Sequence, residues 1–127
     1  MKIEGMCTHN IVTADRSRTL QECAALMGEN HVGSVLVTEE TAGGPQAVGI
    51  VTDRDLVVEA VARGVAPGQA SVGQITARRL VTVPSSASID DAIQVMKSEG
   101  VRRLLVATDD RRLVGIVSMD DLLDALA

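Results

Sequence analysis

Two short stretches place a hydroxyl three residues ahead of a carboxylate, behind the same apolar lead: Gly49-Ile50-Val51-Thr52 with Asp55, and Gly115-Ile116-Val117-Ser118 with Asp121. A β-branched run that ends in a hydroxyl residue and opens a helix sets that hydroxyl at a strand-to-helix junction. There a side-chain donor, free backbone N–H groups and the positive end of the helix dipole together suit a phosphate. The same Ser/Thr-x-x-acid spacing is also the ordinary helix start, in which hydroxyl and acid each accept a backbone N–H from the other's residue. Thr19 with Glu22, Ser71 with Gln74 and Ser88 with Asp91 follow that pattern as well. Both uses stay open for Thr52 and Ser118, and one residue can serve both.

Guanidinium groups stand near these junctions. Arg54 lies inside the first motif, where the second has Asp120; Arg102 and Arg103 precede the second copy's strand, where the first has Gly33 and Ser34. Neighbouring strand residues point to opposite faces, so only one of Arg102 and Arg103 enters a given site. The alternative is a solvent-facing arginine paired with Asp109 or Asp110, or, for Arg54, a plain surface position. Other chemistry finds less support. Cys7, His9, Cys23 and His31 offer one C-x-H spacing without a second ligand pair, which favours structural thiols over a metal. The chain has no GxxxxGK[ST] loop, no GxSxG elbow and no HExxH pair, so no catalytic site is expected.

The elements that must position these groups come in duplicate. The block Val48 to Leu56 recurs from Val114 to Leu122 at an offset of 66, while Ile11-Val12-Thr13, Leu20, Met27 and Val32 match Leu80-Val81-Thr82, Ile89, Met96 and Val101 at an offset of 69. The difference is absorbed by an extra loop around Gly43-Gly44-Pro45. Each copy opens with a short strand (residues 10–14; 80–83). A helix follows, with the stripe Leu20, Cys23, Ala24, Met27 or Ile89, Ala92, Ile93, Met96. A hairpin (34–38 with 47–51; 103–107 with 113–117) leads to a second helix carrying Leu56, Val57, Ala60 and Val61, or Leu122, Leu123 and Leu126. The expected fold is α/β (α+β): two β-α-β-β-α repeats, 1–66 and 67–127, packed through their sheets with pseudo-twofold symmetry and joined by residues 64–68 and a short turn at 71–75.

Composition narrows the field. In 127 residues there is room for one compact module and none for an added catalytic domain. Hydrophobic residues make up 46% and there is no Phe, Tyr or Trp, so the core is aliphatic and the ring stacking used by single-strand nucleic-acid binders is unavailable. A net charge of −5 repels a phosphate backbone, and no apolar run approaches the length of a membrane span. A cytoplasmic location, with reduced cysteines, is the expectation.

The duplicated Gly-Ile-Val-(Thr/Ser)-x-x-Asp motif resembles the signature of the cystathionine beta-synthase (CBS) domain, and the resemblance covers nearly the whole chain as a tandem pair, or Bateman module. It implies a stand-alone regulatory protein that binds an adenosine-containing ligand in clefts between the repeats and signals to a regulated partner. AMP, ADP, ATP or an S-adenosylmethionine-like molecule would fit, with no obligatory cofactor. On that resemblance Thr52 and Ser118 meet phosphate, Asp55 and Asp121 hold ribose hydroxyls, a basic residue among Arg54, Arg102 and Arg103 contacts phosphate, and Val12 and Val81 line the base. It further implies a homodimer built on the second helices. The competing reading is an assembly module whose clefts stay empty.

Overall fold

The computed structural model describes residues 2–7, 10–75, 80–109 and 112–126. Its elements run in the expected order twice: β1 (Thr13–Asp15), α1 (Leu20–Asn30), β2 (Ser34–Thr41), β3 (Gly44–Thr52) and α2 (Asp53–Val57), then α3 (Val72–Ile75), β4 (Thr82–Pro84), α4 (Ile89–Glu99), β5 (Arg103–Ala107), β6 (Leu113–Ser118) and α5 (Met119–Leu126). Each repeat owns a three-stranded sheet, ordered β1-β2-β3 or β4-β5-β6, in which the first pair is parallel and the second antiparallel. Even the irregularity is duplicated, since the ladders shift register between Val37 and Thr38 and between Val106 and Ala107.

Local chemistry explains the helix limits. Thr19 and Ser88 close full capping boxes with Glu22 and Asp91, and each satisfies N–H groups that the first turn leaves without a partner. Helix α1 ends at His31 (φ 53°) and α4 at Gly100 (φ 68°); both are left-handed, and the next N–H, Val32 or Val101, reaches back to Met27 O or Met96 O at 3.1 Å. Glycine takes that conformation freely, whereas histidine takes it at a steric cost.

Several boundaries differ from the sequence expectation. The opening strands are the three-residue pieces Thr13–Asp15 and Thr82–Pro84, the residues in ladder register with β2 and β5. The first hairpin extends to a Thr41–Gly44 pair, so Ala42 and Gly43 make the turn and Pro45 lies within β3, an edge strand that tolerates a missing N–H. Ala24 is exposed and Leu26 takes the half-buried place instead, which narrows the α1 stripe. After Val57 the second helix of the first repeat widens into a π-helical turn, Val58–Ala62, and Val65 N–H bonds Ala60 O.

Two compact units result. One comprises Val12–Arg78, the other Met1–Ile11 with Arg79–Ala127. Leu20, Cys23, Met27, Val35, Val37, Val51, Leu56 and Val72 build the first core; Ile3, Ile89, Met96, Leu104, Val106, Val117 and Leu122 build the second. The expected linking turn at 71–75 is therefore part of a core: Val72 is wholly buried, and its N–H bonds Arg18 O at 2.7 Å. Residues 2–7 do the same for the other unit through Ile3, wholly buried, whose N–H bonds Ala87 O at 3.0 Å. The 69-residue offset relates Ile3 to Val72 and Ala87 to Arg18, and likewise the antiparallel bridges Lys2–Ser88 and Thr19–Ser71. By sequence each repeat lends its lead-in to close the other's core.

Candidate functional site

The motif residues gather at one end of each sheet. In the Val12–Arg78 unit, Ser34 at the start of β2 pairs with Thr52 at the end of β3, and Val12 O accepts Leu36 N–H at 2.9 Å beside them. In the other unit Arg103 pairs with Ser118, and Val81 O accepts Leu105 N–H at 2.9 Å. The chain then turns straight into a helix in both. Asp53 N–H bonds Gly33 O (3.1 Å) and Met119 N–H bonds Arg102 O (2.8 Å), so strand end and helix start are locked to the strand beside them.

Both capping boxes form. Asp55 N–H donates to Thr52 Oγ1 at 3.1 Å and Thr52 N–H to Asp55 Oδ2 at 2.9 Å. The second repeat repeats the pattern at 3.0 Å for Asp121 N–H to Ser118 Oγ and 2.8 Å for Ser118 N–H to Asp121 Oδ2. The helix-start reading of these residues is thus fulfilled. It does not exhaust them, because a hydroxyl that accepts one bond keeps its own proton to donate, and a carboxylate offers about four acceptor sites. Thr52 is buried at 5% exposure, while Ser118, Asp55 and Asp121 are half-buried.

The two ends differ in charge. In the first, Asp53 adds a carboxylate that sequence reasoning passed over; its Oδ1 accepts Arg54 N–H at 2.8 Å, and the Arg54 side chain is exposed. The second has Met119 in place of Asp53 and holds Arg103, half-buried, on the strand facing Ser118. Arg102 is exposed and lies 3.8 Å from Asp120, not at Asp109; Asp110 is outside the described residues. At that separation and exposure the pair contributes little. Val12 and Val81 are half-buried and pack against the two cores, so their side chains have a structural role whatever else they touch.

Cys7 and Cys23 are both buried. Burial foremost pushes both thiols up, away from the reactive thiolate. Among the described residues no three His, Cys, Asp or Glu side chains converge as a metal site, and His9 lies outside them. Nor, among them, is any helix long and apolar enough to cross a membrane.

A duplicated strand-hydroxyl-helix unit of this form is matched by the family profile described as the CBS domain, once over residues 3–61 and again over 72–127. The chain belongs to the CBS domain family. This CBS pair is 33% identical over 120 residues to the CBS domain-containing protein YhcV of Bacillus subtilis, covering 94% of this chain and 81% of that one. It is 32% identical over 114 residues to an uncharacterized protein of Methanopyrus kandleri, covering 90% of this chain but only 57% of that protein's length. Neither relative carries an enzyme's name. Among solved structures, the CBS domain protein PAE2072 from Pyrobaculum aerophilum, complexed with AMP, superposes with a TM-score of 0.79 over 100% of both chains at 24% identity, a likeness of fold.

Proposed function

We propose that this CBS pair is a regulatory module that binds an adenine nucleotide at the strand-to-helix ends of its repeats and passes the change to a partner protein. The observation that carries the reading is that both copies rebuild one geometry: a strand-end hydroxyl and a carboxylate three residues on, joined in a capping box at a helix start. Thr52 and Ser118 would donate to phosphate. Asp55 and Asp121 would accept the paired hydroxyls of a ribose, as acidic residues do in dinucleotide sites. Arg103 adds a planar cation beside Ser118, suited to a phosphate's oxygens. Support also comes from a CBS protein of the same fold complexed with AMP.

Calorimetric titration of the wild type, Asp55→Ala and Asp121→Ala with AMP and ATP tests this. The expectation is that each variant loses one binding event and keeps the other. Wild-type binding by both variants, together with lower melting temperatures, would reduce the two acids to helix caps and end the reading.

A second reading, an assembly module acting through its second helices, is favoured by exposed aliphatic side chains: Val57 and Val61 are 59% and 76% exposed, and Leu123 and Leu126 are 54% and 60%. Such stripes suit an isologous contact between two copies. Light scattering that reports a monomer across micromolar concentrations would remove it.

A further inference from the structure

The two strand-to-helix ends spend their first-turn amides differently. In the Val12–Arg78 unit the first three amides of α2 are all taken: Asp53 N–H by Gly33 O at 3.1 Å, Arg54 N–H by Asp53 Oδ1 at 2.8 Å and Asp55 N–H by Thr52 Oγ1 at 3.1 Å. Amides spent inside the chain are not left for an anion. In the other unit the first and third amides of α5 are taken in the same way, Met119 N–H by Arg102 O at 2.8 Å and Asp121 N–H by Ser118 Oγ at 3.0 Å. The second amide differs. Met119 has no carboxylate to turn on Asp120 N–H, and among the described residues no side chain accepts it.

The charges around each end follow the same division. The second oxygen of Asp53, Oδ2, lies beside the residue that leads into β2: a Cβ built on Gly33 would stand 3.5 Å from it, an ordinary contact. In the second repeat Arg102 takes the place of Gly33 and Arg103 that of Ser34. The Thr52 end therefore sets Asp53 and Asp55 against the exposed Arg54, a negative balance, whereas at the Ser118 end Asp120 and Asp121 are matched by Arg102 and the half-buried Arg103. A phosphate would meet a second carboxylate at the one and a guanidinium with an open amide at the other.

We propose that Asp53 sets the ligand class of the Thr52 end: by occupying the Arg54 amide and adding its own charge it disfavours phosphate there, so that this end takes a nucleoside without phosphate and the Ser118 end takes the nucleotide. The inference rests on the binding reading above and divides its one ligand class into two. Asp55 serves a ribose in either case, because ribose hydroxyls donate to a carboxylate whether or not the sugar is phosphorylated. The discrimination falls on the phosphate alone.

Calorimetric titration with adenosine and AMP tests this, in the Asp121→Ala background so that the Thr52 end is read by itself. Should that background fail to fold, Asp121→Asn, which keeps an acceptor for Ser118 N–H, takes its place. With Asp53 present, adenosine should bind about tenfold more tightly than AMP. Asp53→Asn, whose amide oxygen still accepts Arg54 N–H, removes only the charge and should recover part of that factor. Asp53→Met, which copies the second repeat, should recover all of it. The Asp53 side chain is exposed, so neither substitution disturbs a core. Failure of adenosine to bind the Thr52 end, equal binding of the two ligands there, or a ratio that both Asp53 variants leave unmoved would overturn the proposal while the binding reading stands. Binding of neither ligand by the wild type would end the binding reading, and the proposal with it.

Discussion

Arg103 faces Ser118 directly across the β5–β6 ladder, in the place that Ser34 holds opposite Thr52. One hydroxyl of the pair of repeats therefore works beside a half-buried guanidinium and the other beside a second hydroxyl, with Asp53 as well as Asp55 at the following helix start. The two equivalent strand-to-helix ends thus carry different fields.

From that difference, Arg103→Ala should separate phosphate from nucleoside. AMP binding to the second repeat is expected to weaken by the roughly 1.5–3 kcal/mol of a charged hydrogen bond, with adenosine binding unchanged. Asp121→Ala should weaken both ligands alike. Calorimetry with the two ligands reads this out, and equal losses of AMP and adenosine in Arg103→Ala would place the arginine outside the site.

The helix ends supply an internal control for backbone strain. His31 and Gly100 occupy equivalent left-handed positions, at φ 53° and 68°. Relief of the roughly 1–2 kcal/mol steric cost, less the entropy of a freer unfolded glycine, should make His31→Gly more stable by about 0.5–1 kcal/mol. Gly100→Ala should lose about 1 kcal/mol. Urea denaturation of both variants measures the pair, and a destabilised His31→Gly would point to an unseen role for the imidazole.

The borrowed anchors should rank by size. Ile3 and Val72 are both wholly buried. Val72→Ala is expected to cost about 1.5–3 kcal/mol, and Ile3→Ala, which removes one more carbon, about 2–5 kcal/mol. Denaturation midpoints decide it, and a smaller loss for Ile3→Ala would show that its side chain is not a fixed part of its core.

Both thiols should be inert while the protein is folded. Their raised pKa values mean that the native state holds these protons more tightly than the unfolded chain. The associated stability is present below the unfolded thiol value of about 8.5 and is lost as pH rises through the higher native value. A thiol reagent at pH 8 should modify Cys7 and Cys23 only at the rate of unfolding, and melting temperature should fall above about pH 9. Rapid labelling of the native protein would contradict this.

Much of the molecule was legible without coordinates. The two Gly-Ile-Val-(Thr/Ser)-x-x-Asp blocks, the i, i+3, i+4, i+7 stripes and the Ser/Thr-x-x-acid starts are local signals. Local signals survive folding because they act within one turn or one hairpin; hence the repeats, the order of elements and the capping boxes follow from spacing alone, whereas the register that sets Ser34 opposite Thr52 and Arg103 opposite Ser118 came only with the folded ladders. What spacing could not supply is which core a short apolar segment enters. Ile3 and Val72 lie in short stretches of mixed polar and apolar residues with no helical or strand periodicity, and the offset that relates them is invisible in their types. Likewise, the retreat of Ala24 to solvent, the place of Pro45 within an edge strand and the pairing of Arg102 with Asp120 depend on neighbours distant in sequence. Periodicity determines which face of an element is apolar, whereas only the packed chain decides what that face meets, because burial is a property of pairs of elements.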